Sequence, residues 1–517
     1  MKRRSFLKKS SLVSLPAFLG GFELATLSSS NLFNIVNGDD DKVLVLIDLN
    51  GGNDGLSSFV PLDYFDNLAN ARPNLFLPEN QLLTMTDTIG LHPAMEGVNN
   101  LYDNGNLTLV QGVAYPDQNR SHFRSADIWN TGVKSDEFKS TGWMGRYFDD
   151  EFPGYPGGYP NDDCPDPFAI TLGKSLSGTC QGINSNFSLA ILNVEYLGGL
   201  TTGVVAPLPN DCYGAELGYI VDTFKKSNAY AERIVDAVDS GNSIVEYPDN
   251  SIAERLKVIA QMISGGLRTK VFVIRQGGYD THADQVVDGN TTVGQHAELL
   301  RDLTSAIYAF QEDLKALDID QRVIGMTFSE FGRKIISNAA LGTDHGTAAP
   351  MMIFGSCINP GVIGSNPEIS NNVDIEEGVA MQYDFKSVYG SVMMDWFGVP
   401  EADVRNYLFE EFQHIPIINS CVTTNTKNSE PIPNITVNSF PNPFVNQFTV
   451  ELIMDRSETV RIDLADVVGK TVKSVTNRSL SRGNHQISIS GHGLNSGAYF
   501  VRVQIGKAVK TMRVVKR

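Results

Sequence analysis

The sequence predicts an α/β fold, a doubly wound and mostly parallel sheet, followed by a small C-terminal all-β sandwich. Three observations lead there. Continuous apolar runs such as Val43-Leu44-Val45-Leu46-Ile47 read as strands buried on both faces. A strongly amphipathic helix separates two such runs, so strand, helix and strand follow one another along the chain. Near the C-terminus the pattern changes to alternation of period two, broken by turn residues.

The first strand is Val43–Ile47, and similar runs occur at Leu107–Val110, Val271–Ile274 and Val323–Phe328. Between the last two, Leu299, Leu300, Leu303, Ile307, Phe310, Leu314 and Leu317 fall on one helical face with charges opposite. Ile252 to Ile263 likewise reads as helical. Residues of about 150–245, rich in Gly, Pro and Asn, read as an irregular insertion. The α/β domain is bounded at 31–421, and a polar linker at 422–433 precedes the β-rich segment 434–517.

At 517 residues, with 42% hydrophobic and 19% charged, the chain can bury more than one core. Its net charge of −18 is unevenly spread. Residues 1–30 hold five basic groups against Glu23, and residues 434–517 hold twelve against five, which leaves −29 on 31–433. Such a domain repels phosphate backbones, so no nucleic-acid partner is expected. The five cysteines lack a C-x-x-C spacing, which excludes a zinc finger; disulfides are expected among Cys164, Cys180 and Cys212.

Both ends read as addresses. Lys2-Arg3-Arg4-Ser5-Phe6-Leu7-Lys8 and the apolar stretch after it make a signal peptide over 1–30, similar to a twin-arginine signal. No other apolar run approaches the roughly 20 residues of a membrane span, so the mature chain is expected to have none. At the other end are Pro441-Asn442-Pro443-Phe444, Asp466-Val467-Val468-Gly469-Lys470, Leu494-Asn495-Ser496-Gly497-Ala498-Tyr499 and Val514-Val515-Lys516. Together they resemble the type A C-terminal sorting domain of the type IX secretion system of Bacteroidetes-like bacteria. The resemblance implies export to the cell surface or beyond, with that machinery as partner.

In a parallel sheet, ligands gather beyond the carboxyl ends of the strands. Those positions carry Asp48 and Gly51-Gly52-Asn53-Asp54-Gly55, Arg120-Ser121-His122-Phe123-Arg124, Asp280-Thr281-His282, Ser329-Glu330-Phe331-Gly332-Arg333, and Gly342-Thr343-Asp344-His345-Gly346. Mixed Asp, Glu and His donors on one rim suit a divalent cation: zinc, manganese or calcium. The expected metal ligands are Asp54, Asp280, His282, Asp344 and His345, with Glu330 as ligand or as orienter of one. His92, His296 and His414 lack such company and read as structural.

The same segments, with Thr141-Gly142-Trp143, resemble the domain-of-unknown-function 1501 family of exported bacterial proteins. That family is grouped by fold with alkaline phosphatases, sulfatases and cofactor-independent phosphoglycerate mutases. The resemblance implies an alkaline phosphatase-like domain with metal ligands at strand ends and a Ser or Thr nucleophile. Asp344-His345 fits the group's adjacent pair; its last metal histidine has no counterpart here. The expected function is metal-dependent hydrolysis of a phosphate or sulfate ester. The catalytic set is Ser121 as nucleophile, His122, and Arg124, with Arg120, as an anion clamp; Thr281 is the alternative nucleophile. A noncatalytic surface protein binding metal or glycan on the same fold is the competing expectation.

Overall fold

The computed structural model describes residues 41–192, 229–419, 436–454, 458–465, 471–495, 497–505 and 508–517. The expected signal peptide, the linker, Cys212 and Cys421 lie outside them. The chain divides into two compact units, Met1–Cys421 and Val422–Arg517.

Beside a small sheet made by Phe59–Pro61, Leu83–Thr84 and Ile89–Leu91, the strands of the first unit that frame the site are β1 (Val43–Asn50), β2 (Leu107–Ala114), β3 (Ala169–Leu172), β4 (Ser188–Ile191), β5 (Val271–Gly277), β6 (Val323–Phe328), β7 (Arg333–Ser337), β8 (Thr343–His345), β9 (Ala349–Gly355), β10 (Gly361–Ile363) and β11 (Tyr383–Asp384). Nine of them form one sheet in the order β10-β2-β9-β6-β1-β5-β3-β4, with β11 also on β2. Central β1 runs parallel to both β5 and β6. The expected class, a mostly parallel α/β sheet, is what the chain adopts.

Two departures have simple causes. β9 is antiparallel to both β2 and β6. After β6 the chain makes the β7–β8 hairpin and returns without a crossover helix, and a parallel neighbour needs such a crossover. The stretch read as an irregular insertion contributes β3 and β4, both parallel, to the sheet. These strands are four residues each, too short for a legible period.

Seven helices matter here: α1 (Glu96–Asp103), α2 (His122–Thr131), α3 (Trp143–Glu151), α4 (Ser251–Ser264), α5 (Gln295–Ala316), α6 (Phe385–Asp395) and α7 (Glu401–Tyr407). They cover both faces of the sheet, which is why β1 shows no polar alternation. Leu44 and Leu46 enter a core with Trp129 of α2, Trp143 of α3 and Tyr389 of α6. Val43, Val45 and Ile47 enter the opposite core with Leu101 of α1, Ile259 of α4 and Phe310 of α5. Each such buried side chain contributes roughly 1.5–3 kcal/mol. Helix starts follow local chemistry: the Asn250 side chain caps α4 by accepting from Ala253 N at 2.9 Å.

The second unit contains β12 (Thr436–Phe440), β13 (Gln447–Met454), β14 (Glu458–Ala465), β15 (Thr471–Leu480), β16 (Gly483–Ser490), β17 (Gly497–Ile505) and β18 (Ala508–Lys516). They form two antiparallel sheets, β12-β13-β16 and β15-β14-β17-β18. Phe448, Val450 and Leu452 from one sheet share a core with Val460, Ile462 and Val501 from the other, so the unit is a β-sandwich.

Cys180 is buried as a free thiol, its pKa pushed up to about 12 by that burial. Cys357, on the segment after β9, is the cysteine that is disulfide-bonded. The expected pairing among Cys164, Cys180 and Cys212 therefore fails at Cys180, whose free thiol is buried in an apolar core.

Candidate metal centre

Four chain segments meet at the carboxyl end of the sheet. Asp280 and His282 lie on the loop after β5, and Glu330 follows β6. Asp344 and His345 belong to β8, the second strand of the hairpin. His122 is the first residue of α2, which ends at Gly132 in the left-handed conformation (φ 63°). Two glycines allow the segments to approach so closely. A Cβ on Gly51 would stand 2.3 Å from Asp280 N, and one on Gly342 would stand 2.4 Å from the His282 carbonyl.

His122, Asp280 and His345 each offer a ligand atom, and these atoms lie within 4.8 Å of one another. His282 adds a fourth donor: its Nε2 is 2.9 Å from His345 Nε2 and 3.2 Å from Asp280 Oδ1. His345 Nε2 is 3.1 Å from the same oxygen, and His122 Nε2 is 3.4 Å from Asp280 Oδ2. Tetrahedral zinc, with bonds of about 2.0–2.1 Å, separates its ligand atoms by about 3.3 Å. His122, Asp280 and His345 offer the donor types of such an ion, and His282 stands beside two of them.

Neighbouring groups fix the ligand atoms. His282 Nδ1 faces Asp344 Oδ1 at 3.1 Å, and His345 Nδ1 faces the Arg120 carbonyl at 2.8 Å. Both arrangements orient an imidazole through its far nitrogen. The Glu330 carboxylate accepts from Asn50 Nδ2 at 2.6 Å and Gly51 N at 2.7 Å, which fixes its orientation. It stands 3.7 Å from His122 Nδ1. Asp280 accepts from Arg333 Nη2 at 2.8 Å. Burial pushes its carboxyl up, but hydrogen bonds from Arg333 and His345 outweigh that and hold it at about 2. Asp280 is thus held as a carboxylate, the form a metal needs. Burial lowers the His345 pKa.

Two residues that were not expected in the site carry this frame. Arg333, fully buried, also donates to the carbonyls of Gly52, Tyr279 and Thr343. Gln285 Oε1 accepts from Thr281 Oγ1 at 3.1 Å and Thr343 Oγ1 at 2.9 Å, which ties the two ligand-bearing loops together. No local motif marks Gln285; beyond Thr281, its partners Thr343 and Asp54 are 58 and 231 residues away.

Three expected residues sit elsewhere. Asp54 is 1% exposed and paired with Arg72 Nη1 at 2.7 Å, apart from the cluster. Burial would raise its pKa, but the adjacent Arg72 guanidinium holds the carboxyl well below the usual range. Arg124 turns away to Asp127 and to the Ser135 and Glu137 carbonyls. Arg120 is engaged with Glu376. Neither arginine is therefore placed as an anion clamp, because nearer acceptors on their own surface satisfy both. Thr281 is buried and held by Gln285, which removes it as a nucleophile. Ser121 is exposed at the N-cap of α2, and its hydroxyl makes no capping bond. His122 changes role, from catalytic residue to candidate ligand.

Comparison with known families agrees with both resemblances. Residues 249–387 match the family model described as Protein of unknown function (DUF1501). Residues 438–517 match the Secretion system C-terminal sorting domain. That tail marks the chain for export to the cell surface or extracellular space. No helix among the described residues is long and apolar enough to cross a membrane. No curated protein matches this chain. Solved structures that resemble it include an alkaline phosphatase superfamily protein from Vibrio parahaemolyticus, at 10% identity over 94% of this chain and 88% of that one, TM-score 0.33. The PsFucS1 sulfatase from Pseudoalteromonas sp. matches at 10% identity over 89% and 86%, TM-score 0.30. A phosphonate monoester hydrolase from Silicibacter pomeroyi matches at 9% identity over 92% and 88%, TM-score 0.31.

Proposed function

We propose that this exported protein is a metal-dependent hydrolase of phosphate or sulfate esters. One observation carries the reading: the His122 and His345 imidazoles and the Asp280 carboxylate converge at the strand ends, their donor atoms within 4.8 Å of one another, with His282 beside two of them. His122, Asp280, His282 and His345 would hold it, and their nitrogen donors favour zinc or manganese over calcium. A divalent ion there would neutralise developing charge on an ester oxygen. Ser121 is the proposed nucleophile. It is exposed, it precedes His122, and it stands where the first N–H groups of α2 face an anion. Asp344 and Glu330 act as positioning residues for His282 and His122.

A second reading, a noncatalytic surface protein that binds metal or glycan, is favoured by the engagement of Arg120 and Arg124 elsewhere. Elemental analysis of the purified full chain, followed by assays with p-nitrophenyl phosphate and p-nitrophenyl sulfate, separates the two. Hydrolase function predicts about one ion per chain and turnover that His345→Ala abolishes. Bound metal without turnover selects the second reading, and absence of metal removes the hydrolase. If turnover exists and Ser121→Ala leaves it unchanged, Ser121 is not the nucleophile.

A further inference from the structure

A cleft of about 300 Å³ opens at the carboxyl ends of β1, β3, β5 and β6. Asp48, Lys174, Arg255 and Arg275 line it, with Phe328 and Leu172 as apolar wall. None of the clustered histidines contributes to it. Its volume is at the lower end of the range for small-molecule sites, which favour these strand ends.

The cleft and the metal centre are neighbours along one strand. Asp48 and Asn50 are two residues apart on β1, so they share a face and stand about 7 Å apart. Asn50 holds Glu330, which in turn stands beside His122.

Charge in the cleft runs against the composition of the chain, which has 59 acidic and 41 basic residues. Three cations meet one carboxylate. Asp48 Oδ2 accepts from Arg275 Nε at 2.7 Å, and no other group among the described residues bonds that guanidinium. Arg255 Nη1 donates to the Arg275 carbonyl at 2.8 Å and makes no ion pair among the described residues; nor does Lys174. In so acidic a protein, unpaired cations gathered in one concavity make a local positive well that concentrates anions. The terminal nitrogens of Arg275 are free for a bidentate contact with a planar or tetrahedral oxyanion. The apolar wall offers a surface for a carbon frame.

We propose that this cleft binds a small organic anion, one bearing a carboxylate, sulfate or phosphate group, with Lys174, Arg255 and Arg275 as counter-charges. The proposal stands whether or not the neighbouring centre hydrolyses esters.

The test is equilibrium binding of glucose 6-sulfate, glucose 6-phosphate and glucuronate to the full chain in EDTA, with glucose as the neutral control. Saturable binding of at least one anion, and none of glucose, is expected. The double variant Lys174→Gln/Arg255→Gln changes an exposed and a half-buried side chain that have no ion-pair partner among the described residues; it should weaken binding at least tenfold while the fold, checked by circular dichroism, is unchanged. Arg275→Gln should do the same, and His345→Ala should have no effect. No saturable binding of any anion, or equal affinity in the double variant, overturns the proposal. Loss of binding in His345→Ala alone would also overturn it, by placing the anion at the histidine cluster. The ester-hydrolase reading fails separately, through metal content and turnover.

Discussion

Gln285 Nε2 donates to Asp54 Oδ2 at 2.7 Å, and so joins the clamp between the ligand loops to the buried Asp54–Arg72 pair. Gln285→Leu removes that bond and the two from Thr281 and Thr343. Unfolding free energy should fall by about 2–4 kcal/mol, since each buried polar group left unpaired costs about 1–3 kcal/mol. Zinc affinity should fall by about 10–100-fold, as when groups that orient ligands are lost. Urea unfolding followed by tryptophan fluorescence reads the first effect, because all three tryptophans, Trp129, Trp143 and Trp396, lie in the larger unit. Zinc titration reads the second. Unchanged zinc affinity in a destabilised variant would assign Gln285 a purely structural role.

Asp54→Asn tests the displaced ligand. It leaves the Arg72 guanidinium buried without a counter-charge, which should cost about 3–5 kcal/mol. Zinc stoichiometry should stay at the parent value, whereas His345→Ala should abolish zinc binding with little change in stability. Loss of zinc in Asp54→Asn, under conditions where it remains folded, would return Asp54 to the ligand set.

Acid should destabilise the larger unit above the range of its carboxylates. Burial is the main cause that lowers His92 to about 3 and His296 to about 4. His296 faces Asp54, Arg333 and Arg72, and His92 faces His296, Arg301 and Asp54, the two imidazoles standing 6.3 Å apart. Because the folded pKa values lie below the unfolded one, near 6.5, the unfolded chain takes up protons that the folded chain refuses. Stability is therefore full above pH 6.5 and falls as the pH drops to about 4, by up to roughly 3 kcal/mol per histidine. His92→Asn can still accept from Ala94 N, which His92 Nδ1 meets at 3.1 Å, and should about halve the slope. An unchanged slope between pH 6.5 and 4 would exclude this pair as the cause.

The cleft should bind anions more tightly in mild acid. Burial, opposed by Arg275 and aided by Glu330, raises the Asp48 carboxyl to about 6. Tyr389 also stands near it, and Lys174 and Arg255 share the cleft. Protonation below pH 6 removes the one negative charge and releases Arg275. Glucose 6-sulfate, whose own charge does not titrate there, should bind several-fold tighter at pH 5 than at pH 7.5. Asp48→Asn should flatten that profile at the tighter value.

Deleting residues 438–517, the matched sorting domain, should retain the protein within the cell envelope. Immunoblots of culture fluid and surface fractions check this. Undiminished surface delivery would show that export does not depend on the tail.

Local patterning made much of this protein legible. Val43–Ile47 and Val323–Phe328 are strands because uninterrupted apolar runs must be buried on both faces, and the period-two runs after residue 433 announce a sandwich. Strand-end chemistry likewise brought Asp280, His282 and His345 onto one rim. What the tertiary structure alone decided is partnership. Asp54 and Asp280 both follow a strand and look alike in sequence. Asp54 meets Arg72 and Gln285 and is sealed, while Asp280 meets histidines from two other segments. The cations of the cleft are 81 and 20 residues apart in the chain, counted from Lys174 to Arg255 to Arg275, so no local pattern joins them. Propensity and periodicity act over a few residues, whereas a site depends on which distant side chains the finished sheet places within a few ångströms.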